Sequence, residues 1–328
     1  MNQFDKNLDN KSKVLILGAL GQIGIVLTKE LRAIYGNSNV IASDIRHDYL
    51  SQLGVGPFEI IDATNYDSIL NAIKRNSIDT VYHMAAILSA KAEKKPRKSW
   101  DLNMCSLLNV LDLAKNGYVK KIFWPSSIAV FGQSSPKKNV PQFCIMEPTT
   151  IYGISKLAGE RMCEYYVNNF DIDVRSLRYP GIIGWQSEAG GGTTDYAIDI
   201  FHRAINHESF ECFLKPGTML PMIFMVDAIN ATIKIMNANS SALSIKSSYN
   251  LAGISFSPEQ IFDKIKRYYP LFSIKYKPDY RQLIADSWPD TIDDSHAKID
   301  FNWNSEYNLN MICDEMIRNL KNKKNPIG

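Results

Sequence analysis

Short apolar runs rich in branched side chains alternate along this chain with longer stretches whose apolar positions recur every three or four residues. The runs at 13–18 (KVLILG), 39–44 (NVIASD), 58–62 (FEIID), 80–85 (TVYHMA) and 121–126 (KIFWPS) have the length and composition of buried strands. Between them, 22–35, 65–75, 100–115 and 152–169 carry helical periodicity. Alternation of this kind predicts an α/β fold, a doubly wound parallel sheet with helices on both faces.

DVRSLRYPG (173–181) adds one strand, and beyond it the pattern loosens. Helices are expected at 195–206, 226–237, 258–268 and 308–322, and short strands near 210–214, 249–252 and 273–277. The reading is therefore a nucleotide-binding domain over 13–180 and a mainly substrate-binding, smaller C-terminal lobe over 181–322, covering the carboxyl edge of the sheet. Residues 1–12 are expected to be a disordered lead-in and 323–328 a solvated tail.

The turn after the first strand sharpens this into a Rossmann-type sheet. LILGALGQIGIVL sets Gly18, Gly21 and Gly24 between a strand and a helix, as a pyrophosphate cradle requires. The helix N-terminus then offers free N–H groups to the phosphates. Asp44 ends the second strand about 20 residues on, where an acid meets the ribose hydroxyls and repels a 2′-phosphate. NAD is thereby favoured over NADP, with Arg46 placed against the adenine or in solvent. Asp62, beside Ala63, either meets the adenine amino group or caps the helix at 65–75.

Composition removes other classes. Of 328 residues, 45% are apolar and 22% charged, with a formal net charge of +3, too small to imply nucleic acid or an anionic membrane as partner. No apolar run approaches the roughly 20 residues of a spanning helix. Five scattered cysteines form no C-x-x-C pair and the histidines form no ligand spacing, which predicts no metal and reduced thiols in a cytoplasmic protein, or a mitochondrial one if the source is eukaryotic. The 91–98 stretch, KAEKKPRK, reads as a solvated charged loop, and His83 as a structural histidine.

Tyr152 and Lys156, one helical turn apart in PTTIYGISKLAGERM, mean little alone. The strand ending in WPSSIAVFG, however, brings Ser126 and Ser127 to the carboxyl edge of the sheet, where open α/β sheets bind ligands. A serine, a tyrosine and a lysine then converge on a dinucleotide site. Lys156 and an oxidised nicotinamide would favour the phenolate and make Tyr152 a general base for hydride transfer.

These motifs resemble the extended short-chain dehydrogenase/reductases. HMAAILSA, WDLNM, PSSIAVFG, PTTIYGISKLAGE, VRSLRYPGII, GGGTTDYA, YNLAGISFSPE and PDYRQLIADSWP are similar, in order and over nearly the whole chain, to the branch of that family that oxidises L-threonine. Met219, and Asn302 in place of an expected glycine, depart from it. The resemblance implies NAD-dependent oxidation of the threonine 3-hydroxyl to 2-amino-3-oxobutanoate, with Tyr152 as base, Ser127 holding the hydroxyl and Lys156 on the nicotinamide ribose.

It extends the cofactor site to Gln22, Ile23, Met84, Ala85, Ala86, Tyr179, Pro180 and Ile182. Asn103 is either part of a proton relay or a polar cap inside a helix. For substrate it implies Ser89, Ser127, Tyr152, Gly192, Thr193, Thr194 and Trp288, with backbone N–H groups of the glycine loop meeting the carboxylate. Asp195 either pairs with the ammonium or caps the next helix, and Trp288 either closes the pocket or packs at the surface. A homodimer through the helices at 100–115 and 152–169 is implied as well. Two rivals share the cofactor machinery: a nucleotide-sugar epimerase or dehydratase, and a non-catalytic dinucleotide sensor.

Overall fold

The computed structural model describes residues 12–324, apart from Ser187 and Ala189. Nearly all of the expected lead-in and residues 325–328 of the expected tail lie outside the described residues. Lys323 and Lys324, also assigned to that tail, instead belong to the last helix.

Six strands open the fold: β1 (Val14–Leu17), β2 (Val40–Asp44), β3 (Phe58–Ile60), β4 (Thr80–His83), β5 (Lys121–Ser127) and β6 (Asp173–Tyr179). Between them run α1 (Gln22–Tyr35), α2 (Tyr66–Asn76), α3 (Ser89–Glu93), α4 (Pro96–Lys115) and α5 (Ile151–Phe170). Successive side chains of a strand point to opposite faces, and the β1 run shows it: Val14 and Ile16 pack with α1, whereas Leu15 and Leu17 pack with α2 and α4. A strand buried on both sides must be apolar throughout, which is why these runs were legible.

Later elements are β7 (Gly181–Ile183), α6 (Tyr196–Ile205), β8 (Phe210–Cys212), β9 (Leu220–Phe224), α7 (Met225–Asn237), β10 (Tyr249–Asn250), β11 (Ile254–Phe256), α8 (Pro258–Lys266), β12 (Ile274–Tyr276), α9 (Tyr280–Ser287), α10 (Ser295–Phe301) and α11 (Leu309–Lys324). The main sheet runs β3-β2-β1-β4-β5-β6-β10, every neighbour parallel. Its order reverses between β1 and β4, the point where such sheets open a crevice at their carboxyl ends.

The chain does not leave this layer for good at residue 180. β10 pairs with β6, α7 packs against β6 and α10 packs on β10, so three later segments complete the first unit. The remainder forms a second core around α6, α8 and α11, with a three-stranded sheet β11-β9-β7 and a parallel pair β12-β8. Asn302, where glycine was expected, ends α10 at φ +53°, a left-handed position that asparagine tolerates. The 91–98 segment is not a loop: α3 ends within it and Pro96 begins α4, because a proline at the first helical position has no N–H to lose.

Candidate active site

The cradle forms where β1 turns into α1. Gly18 sits at φ +83°, and a Cβ there would lie 2.6 Å from the Ala85 nitrogen, so only glycine fits between the β1 and β4 ends. Gly21 occupies the N-cap of α1 without a side-chain cap, which leaves first-turn N–H groups to a ligand. Gln22 Nε2 is buried beside them without a partner.

Asp44 closes the rim of this turn. Its Oδ2 accepts from the Leu20 nitrogen at 3.1 Å, and its Oδ1 accepts from the Arg46 nitrogen at 3.1 Å and from Arg46 Nε at 3.3 Å. Arg46, its side chain half exposed to solvent, also pairs with Asp44 and donates to the Leu20 carbonyl, 2.8 Å away. Asp62 does not cap α2. It accepts from the Thr64 nitrogen and hydroxyl, while Asn65 is the cap, accepting from the Ser68 nitrogen at 2.9 Å. Ala63 is buried nearby.

At the reacting end, pairing of β5 with β4 stops at Phe123, which leaves room for Pro125 near the strand terminus. Thr150 caps α5, accepting from the Gly153 nitrogen at 3.1 Å, and sets Tyr152 and Lys156 in the first two turns over that terminus. The Ser127 hydroxyl accepts from the Ala129 nitrogen at 3.2 Å and lies close enough to the Tyr152 phenol to favour its ionised form. Lys156 Nζ donates to the Pro125 carbonyl at 2.6 Å and stands 4.5 Å from the Trp124 ring centre and 5.6 Å from that of Tyr152.

Here the protein's own charges differ from expectation. Burial pushes the Tyr152 phenol up to about 12, a rise the Ser127 hydroxyl opposes. Burial likewise pushes Lys156 down to about 7. The ammonium is bonded to a carbonyl rather than to the phenol, so it does not by itself make the tyrosine acidic. His83, driven to about 3 by burial, shares Nε2 with the Ser106 hydroxyl at 2.9 Å and stays a neutral structural histidine. Asn103 is neither a simple cap nor at the cleft wall. Its Oδ1 accepts from the Ile87 nitrogen at 2.9 Å and its Nδ2 donates to the Ser155 hydroxyl at 3.2 Å, clamping the segment after β4 to α5.

One cleft, open to solvent, joins the two ends. Its walls include Gly18, Gly21, Gln22, Ile23 and Gly24 from the cradle, and Met84, Ala86 and Ser89 from beyond β4. Ser127, Tyr152 and Lys156 line it centrally, followed by Tyr179, Pro180 and Ile182. Gly192, Thr193, Thr194 and Trp288 close it from the second lobe. Asp44, Arg46, Asp62, Ala63, Ala85 and Asn103 lie outside these walls, Asp44 and Ala85 bordering the cradle. Ser126, expected at this edge of the sheet, and Gly181 line it too, while Leu88, Pro125 and Ile128 do so unforeseen, since apolar neighbours of a motif carry no signal of their own.

Asp195 neither caps α6 nor stands free. Its Oδ2 accepts from the nitrogens of Gly191 and Gly192, 2.6 Å each, so these N–H groups are already occupied. Thr193 Oγ1, by contrast, is buried without a partner, its residue 1% exposed. Trp288 is buried, and its carbonyl accepts from Lys137 Nζ at 2.7 Å. Among the described residues no group of three His, Cys, Asp or Glu side chains is placed to hold a metal ion, and no helix is long and apolar enough to cross a membrane.

A glycine cradle at the switch point, continuous with a buried tyrosine and lysine, suits a bound dinucleotide that reaches from one to the other, and defines an oxidoreductase-type site of the extended short-chain class. Residues 14–252 match the model of the NAD dependent epimerase/dehydratase family; the chain belongs to that family, and NAD is its cofactor. It is 45% identical over 314 residues, 95% of this chain and 98% of the other, to an uncharacterized epimerase/dehydratase of Staphylococcus haemolyticus. Among solved structures it is similar to a partial consensus L-threonine 3-dehydrogenase, at 51% identity and TM-score 0.92 over 94% of this chain and 99% of that one. A GalE-like L-threonine dehydrogenase from Cupriavidus necator, holo form, matches at 49% identity and TM-score 0.90 over 94% and 99%.

Proposed function

We propose that the protein oxidises the 3-hydroxyl of L-threonine with NAD, giving 2-amino-3-oxobutanoate, a step of threonine breakdown toward glycine or aminoacetone. The observation that carries the reading is the unpartnered Thr193 hydroxyl, buried in the same cleft as Ser127, Tyr152 and Lys156. A buried hydroxyl without a partner costs free energy until a polar ligand meets it. Likeness to structures of L-threonine dehydrogenases supports the substrate.

NAD, when bound, supplies the hydride acceptor and the positive charge of its oxidised ring. That charge favours the phenolate, as burial alone does not. Tyr152 takes the proton of the C3 hydroxyl while Ser127 holds the same oxygen in line. Lys156, fixed by the Pro125 carbonyl, serves the ribose hydroxyls. The Thr193 and Thr194 hydroxyls meet the substrate carboxylate, and Asp195 remains engaged with its glycines. The cradle, Met84 and Ala86, and Tyr179 to Ile182 hold the dinucleotide, with Asp44 on its ribose.

Absorbance of reduced nicotinamide with L-threonine, and chromatography of a uridine diphosphate sugar, whose epimerisation or dehydration returns the cofactor to its oxidised form, together test the proposal. Reduction of NAD by threonine alone is expected. Turnover of the nucleotide sugar with none of threonine would favour the epimerase reading, which the name of the staphylococcal relative keeps in view. The protein is further proposed to be a homodimer through α4 and α5, where Ile154 and Tyr165 expose apolar surface. A similar threonine dehydrogenase is described as monomeric, so sedimentation is the direct measurement.

A further inference from the structure

Behind the Tyr152–Lys156 turn lies a charged pair shut away from water. The side chains of Arg178 and Glu160 are 1% and 0% exposed and meet as a fork, Nε to Oε1 at 2.9 Å and Nη2 to Oε2 at 2.8 Å. Their remaining capacity is used. Arg178 Nη1 donates to the Gln142 carbonyl and to Asn250 Oδ1, each at 2.9 Å, and Ser126 Oγ donates to Glu160 Oε1 at 2.6 Å. Stability alone explains such a pair poorly, because apolar residues of similar volume commonly serve as well.

Its place in the fold is more telling. Ser127, Pro125 and Ser126 are neighbours on β5, and each meets a different turn of α5: Ser127 stands by the Tyr152 phenol, the Pro125 carbonyl takes the Lys156 ammonium, and Ser126 holds the Glu160 carboxylate. Residues 152, 156 and 160 share one helical face. Arg178 stands opposite Ser126 in the β5–β6 register and opposite Asn250 in the β6–β10 register, so its guanidinium ties α5 to adjacent strands of the sheet.

We infer that Glu160, held by Arg178, is a positioning residue that sets the reacting face of α5, and with it Tyr152 and Lys156, against β5. The inference rests on the proposed hydride-transfer roles of Tyr152 and Lys156. The groups facing Lys156 are Tyr152, Glu160 and Cys163 from its own helix, the Trp124 ring and Pro125 carbonyl from β5, and His83 from β4. Arg178, from β6, is committed to Glu160. Burial lowers Lys156, and Cys163 and Glu160 oppose it. Cys163 opposes it only as a thiolate, and burial pushes that thiol far above its ordinary range. Tyr152 and His83 are neutral near pH 7 by their own shifts, so of these groups Glu160 is left to oppose the effect of burial on Lys156.

The test compares the wild type with Glu160→Gln, Glu160→Asp and the double variant Glu160→Gln/Arg178→Leu, which leaves no unpaired buried charge. Turnover of L-threonine with NAD is measured across pH, with melting temperature and NAD affinity alongside. Glu160→Gln and the double variant are expected to move the alkaline limb of kcat down by about one pH unit. Their kcat should fall roughly 10-fold, with KM changed less, while Glu160→Asp keeps the limb near its wild-type position. A limb that stays put in the folded charge-removing variants, with only the melting temperature lowered, overturns the inference. So does a double variant that will not fold, because the pair would then serve the fold itself. A wild type inactive on threonine would instead overturn the substrate reading; the limb would then be read in the pH dependence of NAD affinity of the same variants.

Discussion

Replacing Asp44 by alanine tests how the cradle selects its dinucleotide. Asp44 is 7% exposed at the end of β2, with three protein donors on its two oxygens. A carboxylate so fixed can still accept two ribose hydroxyls, each charge-assisted bond being worth roughly 1.5 kcal/mol. Losing both, about 3 kcal/mol, weakens NAD about 100-fold. The same substitution removes the charge that repels a 2′-phosphate and releases Arg46, whose Nη2 lies 2.8 Å from the Leu20 carbonyl at the turn. A freed guanidinium pairing with that phosphate should improve NADP about 10-fold. The preference ratio then shifts by about three orders of magnitude. Titration of NADH and NADPH by quenching of protein fluorescence, at low and high salt, measures it. The NADPH gain should shrink with salt as a partly exposed ion pair does. An unchanged ratio would place ribose recognition elsewhere and refute the reasoning.

Tyr152→Phe should lower kcat by about 10²–10⁴-fold and leave NAD affinity within a factor of about two; turnover near the wild-type rate would remove the phenol from the chemistry. Burial lowers Lys156 from 10.5 to about 7, so between those values the unfolded chain holds a proton that the folded protein has released. Stability from this residue therefore rises with pH across that window and is lost as the pH falls through about 7. The opposing slope from Tyr152, raised from 10.0 to about 12, begins only at the upper end of that window. Lys156→Met should flatten the curve of melting temperature against pH between 7 and 10.5; an identical curve would mean the ammonium is not buried. Ile154→Asp, on the exposed side of α5, should convert a dimer to monomers in a sedimentation experiment, and a monomeric wild type would end that proposal.

Of the first six strands, all but β3 were readable because burial on both faces demands continuous apolar runs; β3, a partly exposed edge strand, showed through its apolar residues alone, and the long helices through their amphipathic periods. Helices α3, α9 and α10 escaped notice because five to eight residues make too few turns to show a period. The return of α7 and β10 to the first sheet left no local trace, since β10 pairs for only two residues. Arg178 and Glu160 are 18 positions apart and share no motif, so their fork was equally silent.

What the chain determined by itself were its near-neighbour relations: the alternation of strand and helix, the glycines at 18, 21 and 24, the acid at 44, and a tyrosine one turn before a lysine. Those depend on covalent geometry and on spacings within a turn or a short run. Tertiary structure alone decided that Asp195 holds its own glycine loop, that Arg46 is spent on Asp44, and that Lys156 reaches a carbonyl before it reaches a phenol. The Asp195 and Arg46 partners lie only two to four positions away, but which of several local bonds forms is settled by the packing around them, whereas the Lys156 partner lies 31 positions away. Burial, which sets the charge of Tyr152 and Lys156, is a property of the packed whole.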